Sequence, residues 1–234
     1  MLPEKLRAIF RKENGAVAHS GAGPRYSSPP AGVSARKVTK KDGSTIRQSR
    51  GLEQFFFDIR DVVGLSVLDL AGANQDNIDF LIDLGHKVYT QDLVRSIDEA
   101  FGRDMAEQAN ASRIEYFLKQ NFDYPKDTFD GVMLWDSLQF MSPALLTATV
   151  ERLYEVMRPK SYLLAFFSAS ERVTEVPSYL FRIVDNKTIH LTERGMRPTG
   201  QVFNNRNLEK LFGKFGSVKF FLTRENLREI IVRR

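Results

Sequence analysis

Apolar and polar positions follow two rhythms along this chain. From residue 67, VLDLAGANQDNIDFLIDLGHKVYTQDL opens with an apolar run (67–70) and a turn of small residues, Ala71-Gly72-Ala73. A helix at 76–84 follows, then a second β-like run at 87–90 that leads to Asp92. The acid stands about twenty residues beyond the turn, the layout of a nucleotide- or nucleoside-binding βαβ unit. In such a unit the turn admits a ligand to the backbone and the acid accepts bonds from ribose hydroxyls.

The same patterning predicts the rest. SRGLEQFFFDIRDVVG reads as a helix ending at Gly64, with Leu52, Phe55, Phe56 and Ile59 on its core face. Further helices are expected at 96–109, 143–157 and 205–215, and further strands at 113–118, 131–135 and 162–167. The unbroken apolar runs GVMLW and YLLAFF suit strands covered on both faces. Strand–helix alternation implies parallel pairing with right-handed crossovers. After Ala169 the pattern changes: 179–184 and 188–192 read as a hairpin around Asp185-Asn186-Lys187. At the end, strands at 217–223 and 228–233 are joined by too short a turn to be anything but antiparallel. The expected fold is α/β and Rossmann-like: a doubly wound, mostly parallel seven-stranded sheet with a C-terminal antiparallel hairpin and an inserted β-hairpin after the fifth strand.

Composition changes this picture mainly at the N-terminus. Residues 1–50 carry eleven Lys/Arg and three acids, a charge of +8, which leaves −3 for residues 51–234 of the whole-chain +5. The basic character therefore belongs to a leader, expected over 1–48, and not to the domain expected over 49–234. Within it, 3–13 could form a short amphipathic helix, and 14–45 is too rich in Gly, Ser, Pro and Lys to order itself. The leader reads as a solubilising tail or as an arm for an anionic partner such as nucleic acid, which the domain's own charge does not support. There is no cysteine, which excludes disulfides and thiolate chemistry, and the three His (His19, His86, His190) with no carboxylate cluster suggest no metal site. No apolar run reaches the ~20 residues of a membrane span, and no secretory h-region opens the chain, so the expected location is the cytoplasm.

With these motifs in order, residues 50–234 resemble class I S-adenosylmethionine-dependent methyltransferases, most of all the group related to small-molecule methyltransferases. VLDLAGAN matches that family's first motif, Asp92 its second-strand acid, and Asn121-Phe122-Asp123-Tyr124-Pro125 its next motif. Phe129-Asp130 matches the start of its fourth strand, LYEVMRPKSYLLAFF its fifth-strand region, and 217–233 its closing antiparallel pair. The turn departs from the family's D-x-G-x-G-x-G: it holds one Gly, off register.

The resemblance implies S-adenosylmethionine as cofactor, methyl transfer to an unidentified small-molecule acceptor, and a cofactor site built from Asp69, Ala71, Gly72, Ala73, Asn77, Asp92, Leu93, Asn121, Phe122 and Trp135. Asp92 would hold the ribose, Asn121 the adenine amino group, Phe122 the adenine ring, and Trp135 a pocket wall. No catalytic residue is assigned, with Asp136 and His190 as the candidates. Each position has a plainer reading: a helix cap for Asp92, an Asx turn for Asn121, core for Trp135. Three alternatives stay open: a catalytically silent domain that binds a partner, a nucleic-acid or protein methyltransferase using the leader, and a nicotinamide-dependent oxidoreductase, which lacks its G-x-G-x-x-G turn.

Overall fold

Ser49 sets the first helix. Its Oγ accepts the Leu52 N–H at 3.0 Å, a side-chain cap that satisfies one of the free amides of a helix start. The helix, α1 (Arg50–Ile59), buries Gly51, Leu52, Phe55, Phe56 and Ile59 along one stripe, as its spacing predicts. In the computed structural model, which describes residues 38–39, 44–170, 173–223 and 227–234, two short strands precede it: β1 (Val38–Thr39) and β2 (Ser44–Gln48). Regular structure therefore starts before Ser49, inside the segment expected to be leader. The helix expected at 3–13 and most of the linker lie outside the described residues.

The alternating elements then follow: β3 (Ser66–Asp69), α2 (Gln75–Asp83), β4 (Lys87–Thr90), α3 (Leu93–Phe101), α4 (Ala111–Asn121), β5 (Phe129–Trp135), α5 (Pro143–Val156) and β6 (Met157–Ser168). After them come β7 (Glu175–Asp185), β8 (Thr188–Pro198), α6 (Asn205–Leu211), β9 (Ser217–Leu222) and β10 (Leu227–Arg233). The main sheet has six strands in the order β4-β3-β5-β6-β10-β9. The first four pair in parallel, while β10 runs antiparallel to both β6 and β9. Alternate strand residues feed two cores. Leu68, Val132, Leu134, Leu163 and Phe167 pack on one side with α3, α4 and α5 residues. Val67, Met133, Trp135, Leu164 and Phe166 pack on the other with α1 and Leu81 of α2.

Among the described residues this sheet has no seventh strand. Residues 113–118, expected as a strand, lie within α4. Asn110 caps that helix by accepting the Arg113 N–H at 3.2 Å, and Ile114 and Phe117 are buried three residues apart while Tyr116 faces solvent. An i, i+3 apolar spacing outweighed the β preference of the aromatic residues. β4 is consequently an edge strand.

The inserted hairpin forms as expected but is longer, and it joins a second sheet. Its order is β1-β2-β8-β7, all antiparallel. One buried carboxylate ties this sheet, α1 and β10 together. Glu229 is fully buried; it accepts the Ser49 hydroxyl at 2.9 Å and the Gly51 N–H at 2.7 Å, and pairs with Arg47 of β2. An anion at the start of α1 also complements the helix dipole. Gly51 permits the approach, because a Cβ there would stand 3.0 Å from Glu229 Cβ.

Candidate active site at the carboxyl edge of the sheet

Open α/β sheets bind ligands beyond the carboxyl ends of their strands, so the ends of β3, β4 and β5 are the place for a candidate site. The turn after β3 is zipped to the end of β4. Gln91 N–H donates to Asp69 O at 3.0 Å, Gly72 N–H to Gln91 O at 3.0 Å, and Ala71 forms an isolated antiparallel bridge with Asp92. Gly72 has φ +95°, and a Cβ built on it would meet Asp92 Cβ at 3.3 Å and Oδ2 at 3.5 Å. That position needs glycine for its backbone angle and for the carboxylate beside it. Ala73, next in the turn, is exposed.

Asp92 combines two roles. Its Oδ1 caps α3 by accepting the Arg95 N–H at 3.0 Å, and its Oδ2 accepts from Arg194 Nη2 of β8 at 3.0 Å. A carboxylate has about four lone-pair sites, so two bonds leave acceptor capacity for a diol.

Asp69 is buried completely behind this turn. Oδ1 accepts from Ala71 N–H at 3.0 Å and from Trp135 Nε1 at 2.6 Å, and Oδ2 accepts from Asn77 Nδ2 at 2.9 Å. Burial raises its pKa, opposed by these three bonds. Asn77 also grips the hairpin: Nδ2 donates to Phe181 O at 3.2 Å and Oδ1 accepts the Ile183 N–H at 2.7 Å. Trp135, at a left-handed φ of +54°, stacks on Phe181 with centroids 4.8 Å apart. It is core between the two sheets and a donor to Asp69, and not an open pocket wall.

Asp136 follows on β5 and is 2% exposed. Its Oδ2 accepts the Tyr179 N–H of β7 at 2.9 Å. Burial pushes its pKa up to about 7, against the Tyr179 and main-chain bonds and the charges of Arg194 and Arg197. The hairpin thus roofs the edge, held at Asn77, Asp92 and Asp136.

The remaining candidate residues are placed as follows. Leu93 and Phe122 are both fully buried in the core; Leu93 meets the turn only through its backbone, N–H to Leu70 O at 3.3 Å. Asn121 and Phe122 close a helix, because the strand expected before them does not exist. Asn121 spends its amide internally, donating to Phe117 O at 2.7 Å and accepting from Gln91. His190 lies in β8 opposite Arg182 and Ile46, with a buried, unpartnered Nε2. No hydrogen bond among the described residues joins it to Asp136. His86 stands away from the site, where burial lowers its pKa against the opposing charge of Asp130.

Arg194, Arg197 and Ser178 were not anticipated. They belong to the hairpin, and the only hint was a basic TERGMRP segment whose acidic partners lie about a hundred residues away. Among the described residues, no group of three or more His, Asp or Glu could hold a metal ion, and no helix is long and apolar enough to cross a membrane.

No protein-family model matches the sequence, and no curated protein matches it. Solved structures do resemble it, and the likeness is to S-adenosylmethionine-dependent methyltransferases. One is the 1,6-didemethyltoxoflavin-N1-methyltransferase of Burkholderia thailandensis, solved with 1,6-didemethyltoxoflavin and S-adenosylhomocysteine bound. The match covers 79% of this chain and 76% of that one at 11% identity, with a TM-score of 0.44. A SAM-dependent methyltransferase from Archaeoglobus fulgidus matches over 78% and 91% at 13% identity and a TM-score of 0.45. Another from Aquifex aeolicus matches over 78% and 88% at 13% identity and a TM-score of 0.42. These are distant likenesses, and none assigns a reaction to this chain.

Proposed function

We propose that this chain binds S-adenosylmethionine at the carboxyl edge of its six-stranded sheet and transfers the methyl group to a small-molecule acceptor. The observation that carries the reading is the pairing of Gly72 with Asp92. A positive-φ glycine brings the turn against the Asp92 side chain, and that carboxylate keeps spare lone pairs at the end of β4. These residues fit the nucleoside half of the cofactor, with Asp92 accepting from the ribose hydroxyls.

When bound, S-adenosylmethionine supplies an electrophilic methyl on a positively charged sulfur. The chain's own task is then to orient an acceptor and exclude water. Trp135 and Phe181 pack as a dry layer behind Asp69. Asp136, with a pKa near 7, is the carboxyl suited to take a proton from a protonated acceptor near neutrality. It is buried under Tyr179, so this role requires β7 to lift.

The second reading is a silent binding domain of the same fold. It is favoured by the far end of the site, where Asn77 and Trp135 are already engaged by β7. Calorimetric titration with S-adenosylmethionine and S-adenosylhomocysteine separates the two. Asp92→Asn, which keeps a capping oxygen, is compared with the parent. Micromolar binding by the parent, weakened about ten- to a hundredfold in the variant as a lost bond to a charged acceptor implies, supports the enzyme. A folded parent that binds neither ligand overturns it and leaves the silent domain.

A further inference from the structure

Beside the Asp92 edge, between α3 and the hairpin, lies a cavity of about 240 Å³. Arg95, Arg103, Arg194 and Arg197 line it with Asp98 and Ser178. Two of these arginines reach it only because β8 is irregular. Residues 194 and 197 are three apart, and in a regular strand they would face opposite sides of the sheet. The pairing slips here: Ser178 is opposite Gly195, yet Tyr179 is opposite Glu193, so Arg194 is the extra residue of a bulge. Gly195 takes φ +110°, the left-handed angle such bulges use, and bulges commonly re-aim a side chain beside a functional site.

The donors in this cavity outnumber their partners. Arg197 forks onto Asp98, with Nη1 to Oδ2 at 2.8 Å and Nη2 to Oδ1, and lies over the Phe140 ring at 5.1 Å. Its Nε is buried without a partner. Arg194 spends Nη2 on Asp92 and Arg95 spends Nε on Glu99. Arg103 forms no ion pair among the described residues. Ser178 is 1% exposed and its Oγ also lacks a partner. Buried polar atoms are nearly always satisfied, and both orphans belong to residues that line this arginine-rich cavity.

We propose that this cavity is an anion subsite that takes a phosphate-sized oxyanion, bound by Arg103, the free N–H groups of Arg194 and Arg197, and the Ser178 hydroxyl. Forked guanidinium donors match tetrahedral and planar oxyanions alike. The subsite adjoins Asp92 through Arg194 and Asp136 through Ser178 and its neighbour Tyr179, which places the oxyanion on the methyl acceptor and makes that acceptor a phosphorylated small molecule. The acceptor assignment rests on the methyl-transfer reading above; anion binding itself does not.

The test is calorimetric titration of the full chain with inorganic phosphate and with phenyl phosphate, at constant ionic strength set by chloride. Saturable phosphate binding is expected, weakened at least tenfold by Arg103→Gln and several-fold by Ser178→Ala. Arg103 is exposed, so its variant folds normally. Absence of saturable binding, or binding indifferent to both variants, overturns the subsite. Phenyl phosphate binding at least as tightly as phosphate supports an acceptor-borne group; its exclusion overturns the acceptor assignment. Asp92→Asn separates the two proposals, because losing that carboxylate releases Arg194. Phosphate should bind more tightly to this variant while S-adenosylmethionine binds more weakly.

Discussion

Arg194 and Asp92, 102 residues apart in sequence, meet at 3.0 Å across the mouth of the candidate site. Both side chains keep contact with water, 38% and 23% exposed, so the pair contributes little to stability, about 0–1 kcal/mol. Its effect is on the site. Arg194 competes with any ribose for the Asp92 carboxylate, and Asp92 competes with any anion for Arg194.

Replacing Arg194 with Gln should therefore leave the melting temperature nearly unchanged and tighten S-adenosylmethionine binding several-fold. Parallel thermal and calorimetric measurements check this. Loss of cofactor binding in this variant would mean that the guanidinium touches the ligand directly.

The Asp136 carboxyl makes stability depend on pH in a defined direction. Burial lifts its pKa from 3.8 in the unfolded chain to about 7 in the fold. Between those values the folded protein holds a proton that the unfolded chain has released, so stability falls as pH rises from about 4 to 7. Asp69 acts in the same direction and the lowered His86 in the opposite one. The Asp136→Asn variant isolates one group. Its amide oxygen can still accept the Tyr179 N–H, so the variant should gain stability relative to the parent as pH rises from 5 to 8. Denaturant midpoints measured across that range give the difference; parallel curves for the two proteins would refute the assignment.

Glu229 is the clearest structural bet. It is fully buried, with Arg47, Ser49 and Gly51 as partners. Glu229→Ala takes the buried carboxylate from beside the Arg47 guanidinium, whose side chain is 7% exposed, and from the Ser49 hydroxyl and Gly51 N–H, and should cost about 3–5 kcal/mol. Glu229→Gln keeps an acceptor for the Gly51 N–H and should cost less. Urea denaturation resolves the order of the three proteins.

Gly72 joins backbone and site. Alanine there must adopt φ +95° with its Cβ 3.3 Å from that of Asp92. The expected cost is about 1–3 kcal/mol, with the turn displaced from Asp92 and cofactor affinity falling in step. Equal affinity in Gly72→Ala and the parent would show that the turn does not approach the ligand.

Much of the fold was legible because the signals were local. Ser49, Asn74, Asn110 and Ser142 each cap the helix that follows them, and each sits just before a 3.6-residue apolar stripe. Residues 113–118 misled because aromatic and β-branched residues there satisfy strand preference while their spacing satisfies a helix. Asp69, Gly72 and Asp92 could be singled out as candidates because a turn and an acid at a fixed interval are a property of one βαβ unit. The burial of Leu93 and Phe122 was not legible, since an apolar residue beside a motif reads the same whether it faces a ring or the core.

The sequence alone determined the strand–helix alternation, the acid after β4 and the antiparallel end, because periodicity, capping and the reach of a short turn act within a few residues. Tertiary structure decided that β1 and β2 join the hairpin, that Glu229 anchors α1, and that Arg194 and Arg197 reach Asp92 and Asp98. Those partnerships bring together residues about a hundred or more positions apart. They depend on strand register and on one bulge at Gly195, and a slip of a single residue would turn the same side chains to the other face.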